Sequence, residues 1–143
     1  MIKGKCHCQT VKYESSNDTE SAVFCHCQTC REINGSAFGS SAVVPRKGFE
    51  IISGKKSLVG YESSSGKKRF FCSNCGTHVY ATSSKKPENI ILRIGCIDGN
   101  HNIVPTHHIW TSQKASWYDI TENIPMHEEW WNSTIESKIY LKF

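Results

Sequence analysis

Seven of the eight cysteines in this chain fall into three tight clusters: Cys6-x-Cys8, Cys25-x-Cys27-x-x-Cys30 and Cys72-x-x-Cys75. Thiols packed this closely do not make a disulfide framework, since two cysteines in C-x-C would close a very short, strained ring. The spacing is that of thiolate metal ligands, and zinc is the metal that such sets hold. The clusters also count unevenly. The two pairs together supply four ligands, enough for one closed tetrahedron that would tie the amino-terminal strand to the middle of the chain. The remaining three make a site with an open fourth position.

At 143 residues the chain is expected to form a single domain over 1–143, long enough to bury a real core. Its hydrophobic content of 38% is modest and fits a fold that leans partly on metal. The opening MIKGKCHCQT has no apolar run of signal-peptide length, and no stretch approaches the roughly 20 residues of a membrane span. The expected address is therefore cytoplasmic, where thiols stay reduced. The net charge of +4 is mild. Basic residues gather at Lys55–Lys56, Lys67–Lys68–Arg69 and Lys85–Lys86, which read as solvated hairpin tips. A nucleic-acid footprint would be more basic, although such patches suit the steering of a small anion.

Short β-rich runs separated by Gly, Ser, Asn and Pro recur, while helical periodicity is scarce. The pattern predicts strands near residues 8–14, 36–44, 49–52, 58–62, 68–71, 78–81, 90–97 and 107–111. One short helix is expected at Gln28–Asn34, stopped by Gly35. The segment 128–137 reads as either a helical turn or irregular structure. No repeat, low-complexity tract or linker divides the chain. The fold class is thus mainly β: one zinc-stabilised domain of short antiparallel strands.

Cys72-Ser-Asn-Cys75-Gly76 follows an expected strand, and C-x-x-C on a tight turn aims both sulfurs at one metal. Gly76 supplies the positive φ such a turn tends to need. Cys6 and Cys8, two apart on extended chain, project to the same side. Together these four form the expected structural zinc site; the other partition pairs Cys72 and Cys75 with the middle cluster. Cys25, Cys27 and Cys30 can chelate a second zinc. Its fourth position is either open, as in catalytic sites, or closed by a histidine such as His26, His78, His107 or His108. Three thiolates on Zn²⁺ leave a net negative charge and a poor activator of water. A soft centre of this kind suits capture of another thiol, which a metal deprotonates outright. Arg31, directly after Cys30, is a candidate to offset the negative charge or to bind substrate.

The runs GKCHCQTVKYE, FCHCQTCREINGSAFGSSAVVP and FFCSNCGTHVYA, in this order, resemble the glutathione-dependent formaldehyde-activating (Gfa-like) family, which shares its domain with centromere protein V. LRIGCID and HHIWTSQKASWYDI look like that family's later motifs, so the resemblance covers about Gly4 to Met126. It implies a β-tent fold. It implies that Cys6, Cys8, Cys72 and Cys75 hold a structural zinc, and that Cys25, Cys27 and Cys30 hold a second, catalytic one, giving two zinc ions per chain. The second, open site is expected to lose metal on purification. The implied activity is that of a carbon–sulfur lyase joining glutathione and formaldehyde to S-(hydroxymethyl)glutathione, with a zinc-bound thiolate as nucleophile. The alternative is a non-catalytic zinc-stabilised module that binds protein or nucleic acid. No residue spells out a general acid; His78 and His107 or His108 are candidates for placing a proton, and His78 and His108 for touching substrate. Cys96 reads as a buried strand cysteine, and Trp110 and Trp117 read as core packing rather than a pocket floor.

Overall fold

The computed structural model describes residues 1–130. Period-2 alternation of buried and exposed residues shapes the first elements, β1 (Ile2–Lys5) and β2 (Lys12–Ser15), which pair antiparallel. With β5 (Phe49–Ser53) they make a three-stranded sheet in the order β1-β2-β5. The second sheet is built from β3 (Ser21–Cys25), β4 (Gly39–Pro45), β6 (Leu58–Ser64), β7 (Lys67–Cys72), β8 (His78–Ser83), β9 (Asn89–Arg93) and β10 (His107–Ile109). Its order is β10-β3-β4-β9-β8-β7-β6. All its pairings are antiparallel except that of β10 with β3, which is parallel. The architecture is mainly β, as the sequence pattern predicts. No helix among the described residues is long and apolar enough to cross a membrane.

Register decides which side chains share a face. Leu92 stands opposite Ala42 and Tyr80, Tyr80 opposite Phe70, and Val44 opposite Ile90. This face packs against the small sheet, where Ile2, Val11 and Tyr13 complete the main core. An aromatic ladder crosses between the sheets: Tyr13 to Phe49 at 5.5 Å, Phe49 to Tyr80 at 5.2 Å, and Tyr80 stacked on Phe70 at 4.5 Å. Full burial of a large apolar side chain contributes roughly 1.5–3 kcal/mol relative to exposure; in this ladder Tyr13 and Tyr80 are buried, while Phe49 and Phe70 are half-buried. The opposite face of the large sheet carries the residues that matter below.

The helix α1 spans Gln28–Asn34 as expected, and Gly35 ends it in the left-handed conformation at φ 56°. Several details differ from the pattern reading. Strands β1 and β3 form where no strand is expected: β1 pairs along its whole length with β2, and β3 with the first five residues of β4. The expected strand over 90–97 ends at Arg93 and turns through a 3₁₀ segment at Ile94–Cys96. Cys96 is therefore a half-buried turn residue whose thiol faces the His78 carbonyl at 3.5 Å, not a buried strand cysteine. Trp117 is 71% exposed and so is not core. Residues 131–137 of the ambiguous tail lie outside the described residues.

Candidate metal centres and cavity

Two cysteine groups converge. The sulfurs of Cys6, Cys8, Cys72 and Cys75 all lie within 4.8 Å of one another, as do those of Cys25, Cys27 and Cys30. A tetrahedral zinc with Zn–S bonds of about 2.3 Å separates its sulfurs by about 3.8 Å. Cys6–Cys8 at 3.5 Å and Cys8–Cys72 at 3.8 Å match that spacing, so the donor set fits a thiolate-bound metal. Cys6 and Cys8 follow β1, Cys72 ends β7, and Cys75 lies in the turn before β8. A metal here would tie the small sheet to the large one. Gly76 closes that turn at φ 75°, and its amide donates to the Cys72 carbonyl at 2.7 Å. Neighbouring groups shift these thiols in different directions, and burial pushes Cys6 up to about 11. Hydrogen bonds from Thr10, with a further one from Asn74 Nδ2 at 3.2 Å, bring Cys8 down to about 5. The Thr77 hydroxyl leads the contacts that bring Cys75 to about 7.

The second group is assembled from one short run. Cys25 is the last residue of β3, Cys27 caps α1 and accepts from the Cys30 amide at 3.4 Å, and Cys30 sits one turn inside. Among the described residues no histidine or carboxylate joins these three within the same reach. Hydrogen bonds from Cys25 and Cys27, and then the charges of Arg93 and Arg69, push the Cys30 thiol well down. The three sulfurs can thus hold a metal on one side and leave its other side open.

That side faces a cavity of about 310 Å³. Its walls come from the free face of the large sheet. Cys25 stands opposite Ile109 and Gly39; Ser41 opposite Arg93; Ile91 opposite Ala81; Arg69 opposite Ala81; Lys67 opposite Ser83. Of these, Ser41, Lys67, Arg69, Ser83 and Arg93 line the cavity with the three cysteines, while Trp110 and Trp130 flank it. No aspartate or glutamate lines it among the described residues. Arg69 and Arg93 are 4% and 5% exposed. Arg69 Nη2 points at Cys30 Sγ at 3.8 Å, and its Nε donates to Ser63 Oγ at 2.8 Å. Arg93 Nη1 donates to Ser41 Oγ at 2.6 Å. Burial, with Arg93 and Arg69 beside it, lowers Lys67 to about 8.

The histidines and Arg31 lie elsewhere. His108 neighbours Ile109 on β10, so strand alternation sends it to the other face, where its Nδ1 meets His26 Nε2 at 2.7 Å. Glu122 approaches its far nitrogen at 3.5 Å. His78 is buried, stacks on Phe71 at 4.7 Å, and lines a separate depression with Gly76 and Cys96. His107 contacts Thr106 Oγ1 at 2.9 Å. Arg31 lies on α1 and does not line the cavity. What sequence reasoning missed is the pair Arg69 and Arg93, with Lys67. The signal was present for two of them: Lys67 and Arg69, two apart on a strand, share one face, and exposed Lys68 points to the other.

Comparison with known proteins bears on family and fold. The family model described as glutathione-dependent formaldehyde-activating enzyme matches residues 1–113. A protein of Schizosaccharomyces pombe named as an uncharacterised lyase is 25% identical over 124 residues, covering 87% of this chain and 88% of that protein. A Podospora anserina protein carrying the family's name is 30% identical over 84 residues, 57% of this chain and only 39% of its own length. The crystal structure of a Rhodobacter sphaeroides protein superposes with a TM-score of 0.59 at 24% identity, over 70% of this chain and 91% of that one, a likeness of fold.

Proposed function

This chain belongs to the glutathione-dependent formaldehyde-activating enzyme family, and from that membership and the cavity chemistry we propose that it is a zinc-dependent carbon–sulfur lyase acting on a thiol adduct. Glutathione with formaldehyde, giving S-(hydroxymethyl)glutathione, is the first pair to test. One observation carries the reading: three converging thiols without a fourth partner among the described residues, opening onto a cavity. Zinc held by Cys25, Cys27 and Cys30 would supply a soft centre that keeps a substrate thiol deprotonated. Cys6, Cys8, Cys72 and Cys75 would hold a structural ion.

The chain's own side chains then do three things. Arg69, against Cys30, balances the negative charge that three thiolates bring to the site. Trp110 and Ile109 restrict water on the side of β10. As the sulfur adds to the carbonyl carbon, the C=O π pair becomes an alkoxide that must take up the proton the thiol gave up. Lys67, lowered to about 8, is a cavity group able to hold that proton near neutral pH. In the reverse direction the C–S bond breaks and the proton leaves the hydroxyl. We place the enzyme in the cytoplasm, where glutathione is abundant as the thiol.

The test is the rate at which free glutathione thiol disappears on adding formaldehyde, with and without zinc-loaded protein. A protein-dependent rate that Cys27→Ser abolishes is expected. No protein-dependent rate would overturn the glutathione–formaldehyde assignment.

A further inference from the structure

Formaldehyde is small and neutral, and nothing in it calls for two buried guanidinium groups. Yet Arg69 and Arg93 stand nineteen-twentieths buried on the floor of the cavity, from neighbouring parts of the free sheet face. Burying a charge without a partner is costly. Each arginine uses part of its donor set, Arg69 on Ser63 and Cys30, Arg93 on Ser41. Arg69 Nη1 and Arg93 Nε are buried with no hydrogen-bond partner. The three thiolates do not account for this charge, because a divalent metal leaves them one net negative charge. Facing it are Arg69, Arg93 and Lys67, with exposed Lys85 at the mouth and no acid among the described lining residues. The cavity is therefore cationic in excess.

We propose that this floor is a carboxylate site, and that the thiol handled at Cys25, Cys27 and Cys30 is bound through its own carboxylate at Arg69 and Arg93. Planar carboxylates match the guanidinium fork, and unpaired N–H groups become charge-assisted hydrogen bonds on binding. Neutral thiols of the same shape leave those groups unpaired and are rejected. The site thus selects the thiol by charge, independently of which carbonyl it receives. The carboxylate belongs either to a small mercapto acid or to the glycine end of a glutathione-type peptide; the chemistry is the same, and the reach from sulfur differs. This inference rests on the reading of the cysteine cluster as a thiol-binding metal centre.

Two ligand pairs separate these points: mercaptoacetate against mercaptoacetamide, and 3-mercaptopropionylglycine, which copies the cysteinyl-glycine end of glutathione with a single carboxylate, against its glycinamide. Affinities are measured by calorimetry on the zinc-loaded full chain. In parallel, the absorption of the cobalt-loaded full chain reports whether each thiol reaches the metal. The acid of at least one pair should bind about tenfold or more tightly than its neutral partner. The pair that shows it identifies the source. Arg93→Met should erase the preference while metal content is retained; if that variant does not fold, the wild-type pairs decide alone. If every thiol changes the cobalt spectrum but acid and neutral forms bind equally in both pairs, the carboxylate site is overturned and the metal-centre reading stands. If no thiol changes the spectrum, the metal-centre reading fails and the carboxylate site falls with it.

Discussion

Lys67, Lys68 and Arg69 are consecutive, yet a strand divides them. Lys68 is exposed and its ammonium lies 5.7 Å over the Phe70 ring, while Lys67 and Arg69 turn into the cavity. For Lys67 the direction of its pKa sets a pH dependence. Burial and the neighbouring Arg93 and Arg69 lower it to about 8, so it is charged below that pH and neutral above. The preference for a carboxylate-bearing thiol over its neutral partner should therefore weaken as pH rises through about 8. Calorimetry across that range checks it, and Lys67→Met should flatten the step. The convergence of the cysteine clusters was legible in the sequence because their spacing is local and thiolate chemistry is narrow. The arginines were not. Arg93 closes the run Asn89–Arg93, in which every residue is buried, and only the register with Ser41 shows that its guanidinium enters a cavity rather than solvent.

At the scale of elements, β3 and α1 act as one device. The strand delivers Cys25, and the turn that follows uses Cys27 as the helix cap, which fixes Cys30 beside it. The next strand begins at Gly39, where a β-carbon would come within 2.8 Å of Asn34 Nδ2 and 3.4 Å of both Arg93 Nη1 and Cys30 Cβ. Gly39→Ala should therefore leave the fold standing but displace Arg93 relative to Cys30, weakening carboxylate discrimination more than metal content. Comparing both quantities on the same preparation checks this. Gly76 tests a different property. Its φ of 75° has open space around it, so Gly76→Ala costs backbone strain alone, on the order of 1–2 kcal/mol in a denaturant titration. The helix was readable because its start, length and glycine stop are local signals. The parallel β10–β3 pair was not, since it joins residues more than eighty positions apart that no local pattern links.

Across the whole molecule the two cysteine groups hold different places. Cys6 and Cys8 lie on the small sheet's side and Cys72 and Cys75 on the large one, so that group replaces part of an inter-sheet core; the other sits at the end of one strand. Cys27→Ser should lose one of two bound zinc ions and keep its thermal transition within a few degrees, whereas Cys72→Ser should lose cooperative folding, because such metal binding energy is folding energy. Metal analysis alongside calorimetric melting separates the two. The staple also has a consequence in time. A chain growing from its amino terminus exposes Cys6, Cys8, Cys25, Cys27 and Cys30 before Cys72 and Cys75 exist, so a metal captured early by Cys6 or Cys8 together with the middle cluster is held by a mixed set that the finished fold does not contain. Such a chelate must exchange ligands before the sheets can close. Refolding with zinc present from the start should therefore be slower than refolding with zinc added after collapse, and the assembly of this protein depends on when its metal arrives as much as on how tightly it is kept.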